Sequence, residues 1–205
     1  MESAPQTKAG LVIAGGRARR FGGDKALALL GGRPLLAHAQ ARLSRHCGGI
    51  AVNAPQDSAG AALAADLGLP VLNDPPGMAD GPLAGVLAGL LWARARGADV
   101  LLTLPCDTPL VPEDLIERLA ASMMARPCAV ARTPDGVQSL CAAWSVSLIA
   151  PLSASLAEAR HPPVHAFLAA QGCGFVDYAE ATGFLNINTP QDLAEAERRR
   201  SATAQ

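Results

Sequence analysis

Short apolar runs alternate along this chain with stretches that carry apolar residues on one helical face. Leu11-Val12-Ile13 is an unbroken apolar run that stops at a glycine pair, which predicts a buried strand feeding a loop. Residues 34–43 set Leu35, Leu36, Ala39 and Leu43 on one face and predict a helix. Ile50-Ala51-Val52 predicts a second strand, residues 59–67 a second helix, and Val71-Leu72 a short third strand ending at Asn73-Asp74-Pro75-Pro76. Gly81-Pro82 opens a long predicted helix to about Arg96, with proline in the first turn, where no helical N–H is lost. Residues 100–104 predict a fourth strand, halted by Pro105. Pro112-Glu113-Asp114 predicts another helix start, with acidic residues matched to the positive end of the dipole.

The second half is less regular. Residues 128–132 and 140–144 predict strands, 148–159 and 164–171 helices, and 175–176 an edge strand. A last helix is expected from Thr189-Pro190, capped by Thr189, to Arg198-Arg199-Arg200. The first eight residues and those after Arg200 are expected to lie outside the ordered core. Repeated β-α units with continuous apolar strands imply an α/β fold: three Rossmann-like layers, a mainly parallel sheet covered by helices on both faces. The 205 residues suit a single domain of this kind.

Composition narrows the function classes. The formal net charge is -1, from 17 Lys+Arg against 18 Asp+Glu, and aromatic residues make up 3%. Neither a polyanion-binding field nor a base-stacking platform is expected, so nucleic acid is not an expected partner. No apolar run reaches bilayer length and the N-terminal residues have no apolar signal core, so the expected location is cytoplasmic and off the membrane. The five cysteines include no C-x-x-C pair, which argues for buried apolar thiols rather than a zinc site or a disulfide framework.

The candidate chemistry sits at predicted strand ends, where open parallel sheets bind ligands. They are the loop after Ile13, Asn53, Asp74 and Asp107. The first loop carries Gly15-Gly16, three arginines (Arg17, Arg19, Arg20) and Lys25. Paired glycines let backbone N–H groups approach phosphate oxygens, and the cations add charge-assisted donors. Read by itself the loop is equally compatible with a solvated surface turn. Asp107 stands between Pro105 and Pro109, and a carboxylate held at a strand end suits Mg²⁺, which takes one or two carboxylates plus phosphates and water. The competing reading is that Asp107 closes a turn. His161 and His165 flank Pro162-Pro163 and fit a helix start better than a metal pair, and Met123-Met124 fits the core.

Four segments in order resemble the molybdenum cofactor guanylyltransferases, the MobA family. They are Ile13-Ala14-Gly15-Gly16 with Arg20-Phe21-Gly22-Gly23-Asp24-Lys25, then Gly81-Pro82-Leu83-Ala84-Gly85, then Pro105-Cys106-Asp107-Thr108-Pro109, and Asn186-Ile187-Asn188-Thr189-Pro190-Gln191-Asp192-Leu193. The resemblance implies a nucleotidyltransferase fold and transfer of GMP from GTP to the terminal phosphate of molybdopterin, with Mg²⁺ as cofactor. It implies that Ile13, Ala14, Gly15, Gly16, Lys25, Asn53, Asp74, Gly81 and Asp107 bind the nucleotide. Arg20, Lys25 and Asp107 would be catalytic, Asp107 would hold the metal, and Asn186 and Asn188 would face the pterin. Molybdenum-insertion proteins or apo-molybdoenzymes are the implied macromolecular partners.

One stretch departs from the pattern. The family usually carries His-Pro near the fifth strand, in the substrate half, where this chain has Val137-Gln138-Ser139-Leu140, so the resemblance implies substrate-side contacts there that differ from the family's. Alternative readings stay open: a cytidylyltransferase acting on the same cofactor, a sugar-phosphate nucleotidyltransferase, or a non-catalytic nucleotide or cofactor carrier. Gly15 favours GTP over CTP, since a larger residue there would crowd a purine. A nicotinamide dehydrogenase is disfavoured, because G-x-G-x-x-G is absent and Asn53 stands where the acidic ribose ligand would be.

Overall fold

Every predicted apolar run becomes a strand, and the strands share one sheet. The computed structural model describes residues 7–15, 24–78, 81–157 and 162–203. In chain order the elements are β1 (Lys8–Ile13), β2 (Leu29–Leu30), β3 (Arg33–Pro34), α1 (Leu35–Ser44), β4 (Ile50–Asn53), α2 (Ala59–Asp66), β5 (Val71–Leu72) and α3 (Pro82–Ala95). There follow β6 (Val100–Pro105), α4 (Leu115–Ala121), β7 (Cys128–Thr133), β8 (Gly136–Ser145), α5 (Ile149–Ala157), α6 (Val164–Ala170), β9 (Gly174–Asp177) and α7 (Pro190–Thr203). The sheet runs β5-β4-β1-β6-β8-β7-β9. β5, β4, β1 and β6 are mutually parallel, β8 is antiparallel to both neighbours, and β9 is parallel to β7.

Alternation along each strand divides the apolar side chains between two cores. Val12, Leu102, Leu104 and Ala143 pack on one face against α1, α2 and α4. Leu11, Ile13, Leu101 and Trp144 pack on the other against α3, α5 and α6. These are the three expected layers. Each fully buried Leu contributes about 1.5–3 kcal/mol, so the central strands hold the sheet's geometry firmly. A third cluster joins Leu30 and Leu35 to Ile187 and Ala196, which docks α7 beside the start of α1.

The chain passes through α1 from β1 to β4 on one side, and returns through α3 to β6 on the other. The strand order therefore reverses between β1 and β6, and a crevice opens beyond their carboxyl ends. Ile13 and Pro105 are paired there at the last rung of the ladder.

Several boundaries differ from expectation. β1 begins at Lys8 and α7 continues to Thr203, so the ordered core is longer at both ends. α4 starts at Leu115 rather than at Pro112, and the Glu113 carboxylate lies 3.1 Å from Arg42 Nη1 instead of capping the helix. β8 starts at Gly136, four residues early, because Gln138 and Ser139 interrupt the apolar pattern. The β2–β3 hairpin went unrecognised; its turn is Gly31-Gly32, with φ of 58° and 74°, the backbone a tight two-residue hairpin requires. Among the described residues no helix is long and apolar enough to cross a membrane.

Candidate active site

Lys25 lies at the start of a short 3₁₀ turn, Lys25–Leu27, that follows the glycine-and-arginine loop. Asp24 caps that turn: its Oδ1 accepts the Ala26 N–H at 3.0 Å, and its Oδ2 accepts the Gly60 N–H of α2 at 2.7 Å. Both carboxylate oxygens thus fasten the loop's far end to the fold, and Lys25 is delivered from a fixed backbone. Its Nζ donates to Asp107 Oδ2 at 2.7 Å and to Asn188 Oδ1 at 2.9 Å. These partners are 82 and 163 residues away in sequence. Asp107 stands just past the end of β6, and its carbonyl accepts the Ile187 N–H at 2.8 Å. The strand end and the segment before α7 are therefore joined directly.

Asn188 is held by the start of α7. The Asn188 and Thr189 N–H groups donate to Asp192 Oδ2 at 2.9 and 2.8 Å, and the Asp192 N–H donates to Thr189 Oγ1 at 3.2 Å. This reciprocal arrangement has the form of a capping box with Asp at its third position. Thr189 is the cap the sequence predicted, and Asn186 lines the crevice. Hydrogen bonds from the two backbone N–H groups hold the Asp192 carboxyl below its ordinary value of 3.8.

A cavity of about 290 Å³ occupies the crevice, near the lower end of the range for small-molecule sites. Ile13, Ala14, Gly15, Lys25, Asp107 and Asn186 line one part of it. Residues 137–141 of β8 form another part of its wall. Asn53 and Asp74 lie across β1 from that wall. Asn53 Nδ2 donates to Leu72 O at 3.1 Å and to Asp74 Oδ1 at 2.9 Å, so the two residues form one unit at the ends of β4 and β5. Asn53 is a buried residue at the end of β4. Its Oδ1 is turned toward Gly85 in α3, and a Cβ at Gly15 would be 3.6 Å from it. Gly81 is the N-cap of α3, one turn before Gly85. Gly16 and Arg20, with the rest of the loop to Gly23, lie outside the described residues, as does His161.

The donor set fits a magnesium ion that arrives with a polyphosphate. Asp107 faces the cavity, whereas both oxygens of Asp24 are committed to backbone N–H groups. Among the described residues no group of three acidic, His or Cys side chains could hold a metal unaided. One carboxylate completed by phosphate oxygens and water is an ordinary Mg²⁺ environment. Covalent chemistry through sulfur is disfavoured. Burial, reinforced by the neighbouring Asp107 charge, pushes the Cys106 thiol up to about 12, and burial does the same to Cys141. Both stay protonated at neutral pH, when a thiol nucleophile must be a thiolate.

Sequence reasoning gave no role to Asp24, Gly85 or Cys141. Asp24 carried a detectable signal, an Asp at the head of a short helical turn. The others depend on contacts between distant strands.

Comparison with known proteins shows the family and the fold. A family model described as the MobA-like NTP transferase domain matches residues 10–173. A molybdenum cofactor guanylyltransferase from Cereibacter sphaeroides is 46% identical over 191 residues, covering 92% of this chain and 94% of that protein. One from Acidiphilium cryptum (strain JF-5) is 43% identical, covering 91% and 92%. The fold matches the crystal structure of molybdopterin-guanine dinucleotide biosynthesis protein A from Archaeoglobus fulgidus with a TM-score of 0.76 at 20% identity, covering 96% of this chain and 100% of that one. A family model that spans most of the chain, and relatives this similar over nearly their whole length, establish that the chain belongs to the MobA-like NTP transferase family.

Proposed function

We propose that the chain transfers GMP from GTP to the terminal phosphate of molybdopterin, forming the guanine dinucleotide and releasing pyrophosphate. The observation that carries this reading is the meeting of Lys25, Asp107 and Asn188 at the sheet's switch point. The relatives named above lend the substrates.

A phosphate oxygen of the acceptor attacks the α-phosphorus of GTP. The new P–O bond forms as the bond to the β-phosphate oxygen breaks, and both electrons leave with pyrophosphate. The attacking phosphate is already anionic at neutral pH, so no general base is needed. The residues of this chain align the reactants and neutralise charge. Lys25 offsets charge on the departing pyrophosphate, and Arg20 joins it on the strength of its place in the motif. Ile13, Ala14 and Gly15 pass the backbone along the nucleotide, and Gly16 joins the nucleotide set on the strength of its place in the motif. Asn53 and Asp74 take the base or ribose side, with Gly81 at the adjoining helix start. Asn186 and Asn188 face the pterin. Mg²⁺ held by Asp107 and the triphosphate would supply electrostatic stabilisation of the phosphoryl oxygens. A GTP donor favours a cytoplasmic site of action.

The test is pterin dinucleotide formation followed chromatographically with GTP, CTP or UTP, each with Mg²⁺. GTP should be used preferentially, and Asp107→Ala should fold normally while losing about 100-fold or more in turnover. Preference for CTP would overturn the donor assignment. Turnover near wild type in Asp107→Ala would remove that residue from the chemistry.

A further inference from the structure

A second cavity, of about 840 Å³, shares no lining residue with the crevice. It is lined by α1, the segment from Pro109 to Glu113, the short turn Thr182–Phe184 and the end of α7. Its volume is that of a small-molecule site. Pro109, Leu110, Val111 and Pro112 give it an apolar lining. Arg42, Arg199 and Arg200 add cations, against the carboxylate of Glu113. Glu195 and Glu197, which pair with Arg199 and Arg200, do not line it. Apolar lining with an excess of guanidinium groups suits an anionic group carried on an apolar body.

Arg42 is the buried cation of this groove, with a side chain 16% exposed. Its Nη2 donates to Val111 O at 3.2 Å. Its Nη1 lies 3.1 Å from Glu113 Oε1, an ion pair without a directed hydrogen bond. Among the described residues no other buried side-chain nitrogen or oxygen lacks a hydrogen bond. Such a donor is costly to leave unmade, the more so when it is charged. The Glu113 side chain that covers it is 81% exposed and is shared with Arg45 at 3.7 Å. An exposed carboxylate of this kind is weakly held and exchanges readily. An incoming oxyanion can meet the guanidinium squarely, as Glu113 does not.

The groove also borders both segments that supply the partners of Lys25. Pro109 comes just after Asp107, and α7, whose far end lines the groove, starts just after Asn188. We infer that this groove is an effector site for a small organic anion, a carboxylate or phosphate on an apolar body, and that its occupancy alters GTP binding in the crevice through Asp107 and Asn188. The groove's own ligand is independent of the transferase reading; the coupling rests on GTP occupying the crevice.

The probe is anilinonaphthalene sulfonate, an aromatic body with one anionic group, titrated by fluorescence into the full chain with GTP·Mg²⁺ present. Binding should be saturable, and about tenfold or more weaker for N-phenylnaphthylamine, which lacks the sulfonate. Arg42→Met should weaken the probe about tenfold or more. Glu113→Gln, which removes the competing carboxylate, should tighten it about threefold. Equal probe affinity in wild type and Arg42→Met overturns the inference. Calorimetric GTP binding reports whether Arg42→Met is folded. If it is not, Ala202→Glu, at an exposed position of α7, puts a carboxylate into the groove and should weaken the probe as much; unchanged affinity overturns the inference. Phenylacetate and phenyl phosphate, as competitors, separate a carboxylate ligand from a phosphate one, and displacement by neither overturns the inference. Saturating probe should change the calorimetric Kd for GTP about threefold or more, and Arg42→Met should abolish the change. No change overturns the effector role, and a change that survives Arg42→Met places the probe in the crevice and overturns it too. Self-association of wild type that Arg42→Met abolishes would give the groove to a second copy and overturn the small-ligand assignment. Wild type that binds no GTP would sink the reading of the crevice, and the coupling with it, while the probe titrations would still decide the groove.

Discussion

At the scale of single residues, the contact of Gly85 with Asn53 ties helix packing to the proposed nucleotide side of the crevice. A Cβ added at Gly85 would overlap Asn53 Oδ1 and lie 2.6 Å from Cγ. No rotamer change is free, because Asn53 Nδ2 is committed to Leu72 O and Asp74 Oδ1. Gly85→Ala should therefore cost about 1–3 kcal/mol in urea unfolding, the usual range for overpacking, and weaken GTP binding as the carboxamide is displaced. Adding Asn53→Ala removes the obstacle. The double variant should recover most of the stability and none of the GTP affinity. Simple additivity of the two stability losses would show that the residues do not press on one another. Neither residue announced this relation in the sequence, since glycine in a helix and asparagine at a strand end each have ordinary explanations.

At the scale of elements, most of the architecture was legible because it depends on local pattern. The apolar runs of β1, β4 and β6 are buried on both faces and needed no tertiary information. Thr189-Pro190 marked the start of α7 by capping chemistry alone. Only the start of β8 was missed, because Gln138 and Ser139 break the apolar run where the strand lines the cavity. The start of α7 also carries a pH dependence. Asp192 is bound by two backbone N–H groups, so its folded-state carboxyl titrates below the unfolded value of 3.8. A depressed folded value gives stability that is present above about pH 4 and lost as pH falls through the folded value. Asp192→Ala should destabilise the protein by about 1 kcal/mol at pH 7, as other caps do. The gap to wild type should narrow as the pH falls below 3.8. A gap independent of pH between 2 and 7 would mean that the carboxylate charge plays no part in the cap.

At the scale of the whole molecule, sheet order assigns territory that the sequence could not. Strand-end residues were legible as a group, but their neighbours were not: Lys25 meets Asn188 across 163 residues, and β8 enters beside β6 only after the chain has built α4 and β7. The consequence is a two-sided crevice with Lys25 and Asp107 at its centre. Hydrogen exchange read by mass spectrometry can see both sides at once. GTP·Mg²⁺ should slow exchange in residues 10–15, 24–27 and 53–54, where backbone N–H groups adjoin the proposed nucleotide site. Molybdopterin should slow exchange in residues 137–141 and 185–189. Because Lys25 is shared between Asp107 and Asn188, nucleotide binding must also reach the start of α7. Residues 188–193 should therefore respond to GTP alone, through Asn188 and the Asp192 cap, although they lie on the acceptor side. That response should disappear in Lys25→Met. Protection at 188–193 that survives loss of the lysine would mean that the two sides communicate by another route, through the Ile187 hydrogen bond to the Asp107 carbonyl.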